Sequence, residues 1–469
     1  MKKELFKVSL IYGTGLMLTS AMSLVTTPVI VRSISLTEYG KFGLLVSGYN
    51  FLGIIFSLSL GAGLFRYSAE ASVASDKVEF NDYIYNSFII VLSTSSIGAV
   101  IIAIFGYCRG NMIFIAVAIL SFIMANEQNF RYILRAQNKA IQYFLMSVIY
   151  SGVYAVGIIV QFIRGKLDFN SLIILIALSL FCSFAFAVSI NWTSITSGHL
   201  SRKIALNMIF FSIPLLGAYC VEYMLQFTDI WMLAWLSGKE EVAFFNLAKK
   251  VTLALVIIKS TFFLAWPYFA YRFIDQKTHQ SIFDILTLCV LIASNILILF
   301  RNPIILFLGG KIYLSNSSLL LAPLLSGMVL SITGTFIDTT AGISKKTAWV
   351  AGIVIIGLLA DVIGNYFLIP LWGAKGAAVA TSISYLLMYI VRLIVYSKKM
   401  KFRGWTIKSV YITLFITSCY IFLVGIFNLN TGISILITSV ILCFAYFREI
   451  LYLSKRFIGI KKESIVLRK

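Results

Sequence analysis

Glu222 and Asp229 stand in one apolar stretch, and their spacing puts them about 20° apart around a helix, with Gln226 on the same stripe. Two carboxylates on one face can bind and release a small cation or a proton, or a lysine of the following helix can tie them down. Both readings stay open. Asp361 and, less prominently, Asp338 interrupt apolar stretches in the same way, with helix packing or capping as the alternative. The segment ANEQNFRYILRAQNK sets Glu127, Arg131 and Arg135 at successive four-residue steps, as a salt-bridged solvated helix end or as an inner gate. Lys249, Lys250 and Lys259 interrupt another apolar stretch, and Arg32 and Arg66 flank two more, where headgroup anchoring competes with a role inside.

These charges are conspicuous because of what surrounds them. Of 469 residues, 60% are apolar and 12% charged, and the apolar ones fall in blocks long enough for the roughly 20 residues a helix needs to cross a bilayer. The blocks lack the alternation of barrel strands, so the expected fold is all-α, an integral membrane protein. Fourteen blocks predict about fourteen transmembrane helices, near 9–31, 42–65, 83–107, 111–130, 143–163, 169–190, 205–236, 242–270, 282–300, 318–341, 347–368, 376–396, 409–427 and 432–452. The first is too long for a signal peptide and is read as retained.

Charge orients them. With the amino terminus in the cytoplasm, 25 of the 39 lysines and arginines fall on that side, most densely in 398–408 and in the basic tail 455–469. Both termini are therefore placed in the cytoplasm. The same bias accounts for the net charge of +21 through contact with membrane lipids, without nucleic acid. The six cysteines form no CxxC pair, and His199 and His279 lie far apart, so neither a metal nor another cofactor is expected. There is no GxxxxGK[ST] or HExxH, and the expectation is a protein that is not an enzyme.

The segment ISLTEYGKFGLL (34–45) returns, with one insertion, as LSGKEEVAFFNLA (236–248), which reads either as an internal repeat about 200 residues apart or as two similar polar turns. The repeat reading divides the chain into 1–200 and 201–400, each a six-helix bundle, followed by 401–469 with two further helices and the tail.

GNYFLIPLWGAKGAAVAT (364–381) resembles the signature of polysaccharide flippases of the Wzx type, within the superfamily that includes the multidrug extruders. TPVIVRSISLTEYGKFGL (27–44), TDIWMLAWLSGKEEVAFFNLAKK (228–250) and LFLGGKIYLSNSSLLLAPLL (306–325) are similar to other parts of that family, although Ala243 and Phe245 replace its usual glycine and tyrosine. The resemblance implies two pseudo-symmetric six-helix bundles around a central cavity, with two extra C-terminal helices, in a bacterial inner membrane. The substrate it implies is an undecaprenyl-pyrophosphate-linked oligosaccharide, such as an O-antigen repeat unit, carried to the periplasmic face. On that expectation Lys249, Lys259, Arg32 and Arg66 hold the pyrophosphate. Glu222, Asp229 and Asp361 couple to protons or sodium, and Glu127, Arg131 and Arg135 form a gate. Partners would include other glycan-assembly membrane proteins. An ion-coupled multidrug antiporter and a peptidoglycan-precursor flippase are the alternatives within the superfamily. A glycosyltransferase or polymerase of the same pathway would need a large extramembrane loop, for which the blocks leave no room.

Overall fold

A computed structural model describes residues 2–73, 77–272, 275–344, 346, 348–400, 403–427 and 431–446. The described chain is helical, with no strand. In order the helices are α1 (Lys2–Ser33), α2 (Leu36–Phe56), α3 (Leu60–Val73), α4 (Lys77–Cys108), α5 (Met112–Ala136), α6 (Ala140–Ile163), α7 (Phe169–Thr196) and α8 (Arg202–Leu236). There follow α9 (Lys239–Arg272), α10 (Gln276–Leu299), α11 (Arg301–Gly309), α12 (Lys311–Ile343), α13 (Ala348–Trp372), α14 (Ala374–Lys399), α15 (Ile407–Ser418), a π-helical segment Cys419–Ile426 and α16 (Thr431–Ala445).

The helix starts carry the residues that satisfy free backbone N–H groups. Ser35 caps α2 in a reciprocal box with Glu38, and Asp168 does the same for α7 with Ser171. The hydrogen bonds from Ser171, its backbone N–H first, hold the Asp168 carboxyl below the usual range. Gly373, at φ 55°, is the one residue between α13 and α14, a turn that a side chain would strain.

Eleven of the described helices are long and apolar enough to cross a membrane, and α2 with the start of α3, bent by 46°, makes a twelfth. Fourteen separate crossings in two regular bundles are therefore more than the described chain supports. The block near 242–270 lies in α9, which is not among those eleven, and that near 432–452 is described only as far as residue 446. The block near 42–65 is split at Ser57–Ser59, where Leu58 and Ser59 take φ of 49° and 53°. The tail 447–469 lies outside the described residues.

The chain forms two compact units, one of residues 1–247 with 307–310, the other of 248–306 with 311–469. In the first, α5 packs on α2, α3, α4 and α7, while α8 lies on α2 and α3. In the second, α12 is the hub, against α10, α14, α15 and the π-helical segment, and it is the most buried of the spans. Small residues permit this close packing, Ala377, Ala378 and Ala380 of α14 being fully covered. Outward faces such as Ile97, Ile101 and Ile104 of α4 are exposed, as lipid contact requires.

Candidate functional site

α5 begins apolar and ends polar on several faces. Asn126 donates to Ser95 Oγ of α4 at 2.9 Å, and Ser87 of α4 donates to Asn129 Oδ1 at 2.8 Å. On the next face Glu127, 2% exposed, receives Arg131 Nε on both carboxylate oxygens at 2.9 Å, and Arg131 Nη2 lies 2.7 Å from Oε1. Ser183 of α7 donates to Glu127 Oε1 at 2.8 Å, and Arg131 Nη1 donates to Ser147 of α6 at 2.9 Å. The forked geometry and the two extra hydrogen bonds are what a buried pair needs to offset its desolvation. This pair ties three helices together. It is not a solvated helix end.

Arg135 does not join it. Eight residues from Glu127 is about 80° around the helix, and Arg135 is exposed, its guanidinium 5.6 Å from the Phe65 ring and 5.8 Å from that of Tyr12. The serines that complete the network were not singled out in the sequence. Their signal was present, as isolated serines within apolar blocks.

A third face of α5 opens on a cavity of about 170 Å³ within the first unit. Gln128 and Tyr132 line it from α5, Tyr219, Glu222, Tyr223 and Gln226 from α8, and Ser57 and Ser59 from the break between α2 and α3. The α8 residues recur at steps of three and four, which is one helical face. Tyr223 is fixed, stacked on Phe227 at 4.3 Å with its hydroxyl donating to the Ser47 carbonyl at 3.0 Å. Glu222 is exposed on the cavity, whereas Asp229 is 1% exposed and accepts the N–H of Ile230 at 2.7 Å. The two carboxylates share a stripe but not an environment.

Arg32 is exposed and donates to the Phe307 carbonyl at 2.8 Å, fastening the 307–310 segment into the first unit. Arg66, also exposed, has its guanidinium 4.9 Å from the Phe211 ring. In the second unit Lys259 Nζ donates to Ser331 Oγ at 3.1 Å, while Lys249 and Lys250 are half-buried. Asp361 is fully buried and accepts from Asn365 Nδ2 at 3.0 Å. Asp338 binds Arg392 at 3.0 Å and accepts the Tyr396 hydroxyl at 2.8 Å, a tie between α12 and α14. Among the described residues, no group of His, Cys, Asp and Glu side chains could hold a metal ion.

Helices long and apolar enough to cross a membrane, with hydrogen-bonded charges enclosed among them, define the class as a multi-span membrane protein with a polar interior. The sequence profile described as "Polysaccharide biosynthesis protein" matches residues 5–273, and the chain belongs to that family. Among solved structures, the fold is similar to that of the lipid II flippase MurJ in an inward closed conformation, at 14% identity and a TM-score of 0.65, over 96% of this chain and 100% of that one. It is also similar to a multidrug resistance MATE family transporter of the MOP superfamily, inward-facing at 16% identity and a TM-score of 0.62, over 83% and 98% of the two chains. The outward-facing conformation of such a transporter gives 18% and 0.58, over 85% and 95%. No curated protein matches the chain in sequence.

Proposed function

We infer that the chain is a flippase that carries an undecaprenyl-pyrophosphate-linked oligosaccharide from the cytoplasmic to the periplasmic face of a bacterial inner membrane by alternating access. Membership in the polysaccharide biosynthesis protein family carries this reading, and the likeness to a lipid II flippase along nearly the whole chain supports it. Both termini are placed in the cytoplasm by the lysine and arginine bias. Outward movement of the diphosphate is favoured by an inside-negative potential, by roughly 2.3 kcal/mol per charge per 100 mV. Coupling to protons or sodium through Glu222, Asp229 or Asp361 would add to it. Deleting the gene should cause one lipid-linked glycan to accumulate on the cytoplasmic leaflet, identified by mass spectrometry, with loss of the matching surface glycan. Normal surface glycan in the deletion strain overturns the reading.

One observation favours the antiporter alternative. Glu222 sits among tyrosines, an arrangement that suits an organic cation, and the MATE likeness is nearly as high. Extrusion of cationic dyes that disappears in the deletion strain, with glycan unaffected, would establish it instead.

Lys249 and Lys259 lie about 80° apart around α9, whereas Lys250 is about 180° from Lys259, so the three cannot all meet one substrate. We place the pyrophosphate on Lys249 and Lys259, with Arg32 and Arg66 at its path. Lys249→Ala and Lys259→Ala should each lower surface glycan at equal protein level, by about tenfold for a lost charged contact, with Lys250→Ala tolerated. Equal tolerance at all three sites returns them to snorkelling.

A further inference from the structure

We propose that the cavity between α5, α8 and the α2–α3 break is a subsite for one pyranose ring of the transported headgroup, selective for neutral or amino sugars over uronic acids. The proposal rests on the flippase reading for its biological ligand, and on the cavity alone for its chemistry.

Size comes first. At about 170 Å³ the cavity is below the roughly 300–1,000 Å³ of pockets that bury a drug-sized molecule. It has the room of one sugar ring, not of a chain. The lining then separates ring from drug. A lipophilic cation needs a carboxylate and aromatic faces, and Glu222 with Tyr132 and Tyr219 would meet that need. It has no use for two side-chain amides and two serines on the same walls, which are the groups that pair with hydroxyls. A pyranose uses both sets, the C–H face lying on a tyrosine ring and the hydroxyls reaching amide and carboxylate.

Gln128 supplies an independent indication. The residue lines the cavity, and its side-chain oxygen is enclosed by protein without a hydrogen-bond partner among the described residues. A buried acceptor left this way is costly, and a turn of the amide toward the cavity would give it a sugar hydroxyl as donor. The wall that carries it is held in place. Gln128 follows Glu127 in α5, and the Glu127–Arg131 tie to α6 and α7 fixes the rotation of that helix. Tyr132 lies against α3 at Gly61, where a Cβ would come within 2.1 Å of the ring. Opposite, stacking on Phe51 and Phe227 holds the Tyr223 ring in place beside the cavity.

Charge sets the selectivity. Glu222 has no ion-pair partner among the described residues, and it is the one charged side chain on the wall. It accepts from a hydroxyl or an ammonium group and repels the carboxylate of a uronic acid.

The test uses the purified full chain in lipid nanodiscs and saturation-transfer difference NMR, with the methyl glycosides of glucose, N-acetylglucosamine, glucosamine and glucuronic acid as probes. Affinity for a single ring should lie near about 1 mM, within the range of the method. Transfer to the ring protons of the neutral or amino glycosides is expected, with glucuronoside at least about fivefold weaker. Gln128→Leu and Tyr219→Ala should each reduce transfer about fivefold or more, as expected for one lost hydrogen bond or stacking face. Tyr219 is 40% exposed, so its replacement should leave the fold intact, as gel filtration of the variant would verify. Glu222→Gln should raise the glucuronoside toward the neutral probes.

No transfer to any glycoside, transfer unchanged in both lining variants, or strongest transfer to glucuronoside overturns the subsite. Tetraphenylphosphonium that binds the wild-type chain, displaces the glycosides and loses its own binding in Glu222→Gln overturns it in favour of a cation site. Failure of the flippase reading is recognised separately, by normal surface glycan in the deletion strain. Loss of that glycan with no glycoside binding removes the subsite alone.

Discussion

Arg131→Ala should strongly destabilise the first unit. It leaves the Glu127 carboxylate, 2% exposed, with only the Ser183 hydroxyl as a partner among the described bonds. Breaking a buried pair from one side costs about 3–5 kcal/mol because the surviving charge stays out of water. Arg131 is 18% exposed, which places the expected loss toward the lower end of that range. The measurement is the midpoint of thermal unfolding in detergent, followed by size-exclusion fluorescence. The double variant Glu127→Leu, Arg131→Met should recover most of the loss, since no isolated charge remains. If surface glycan also recovers, the pair is structural. If stability returns and export does not, the charges act in gating. A wild-type midpoint in Arg131→Ala would mean that the pair is not enclosed as described.

Gly40 and Gly43 make the second large contrast. Both lie on the face of α2 that meets the first turns of α9, inside the first unit. A Cβ at Gly40 would fall 1.8 Å from the backbone carbonyl oxygen of Lys239, whereas at Gly43 it would fall 1.7 Å from the end of the Asn246 side chain. The distances are nearly equal, but the neighbours are not. A side-chain amide can rotate away for about 0.5–1.5 kcal/mol of rotamer strain, while a backbone carbonyl moves only with its helix. Gly40→Ala should therefore reduce surface glycan by about tenfold or more and expose Lys239→Cys to a membrane-impermeant thiol reagent, with Gly43→Ala close to wild type. Equal effects at the two glycines would show that the close approach at Gly40 does not matter to the working protein.

Much of this was visible in the sequence because lipid imposes so simple a rule. Twelve of the fourteen apolar blocks correspond to spans, counting the bent pair, since a backbone in hydrocarbon must be helical. The break in 42–65 was not visible. Ser57, Leu58 and Ser59 include neither proline nor glycine, and nothing in their types announces two residues with positive φ. Helix ends were also misjudged, because apolarity marks the hydrocarbon and not the helix. α5 runs on through NEQNFRYILRA to Ala136, where partners on α4, α6 and α7 replace lipid.

The site divided in the same way. The four-residue spacing of Glu127 and Arg131 was enough to pair them, but their burial depends on Ser147 and Ser183, which approach only in the folded chain. The Glu222–Asp229 stripe was legible as a stripe. That one end faces a cavity and the other the interior follows from the neighbours of α8, which periodicity does not reveal.

The polar half of α5 also bears on how the chain is made. A segment carrying Asn126, Glu127, Gln128, Asn129 and Arg131 is poorly soluble in hydrocarbon by itself, and its carboxylate waits for a hydroxyl 56 residues further on. At about 5–20 residues per second, the ribosome takes on the order of 3–11 seconds to deliver Ser183 after Glu127. Through that interval the nascent helix must be sheltered beside the translocation channel or by an insertion chaperone, with only Arg131 and the helices already made, α2, α3 and α4, to pack on. Membrane integration of the first unit should thus proceed as a hairpin cluster of α4 to α7 released together, not as one helix at a time.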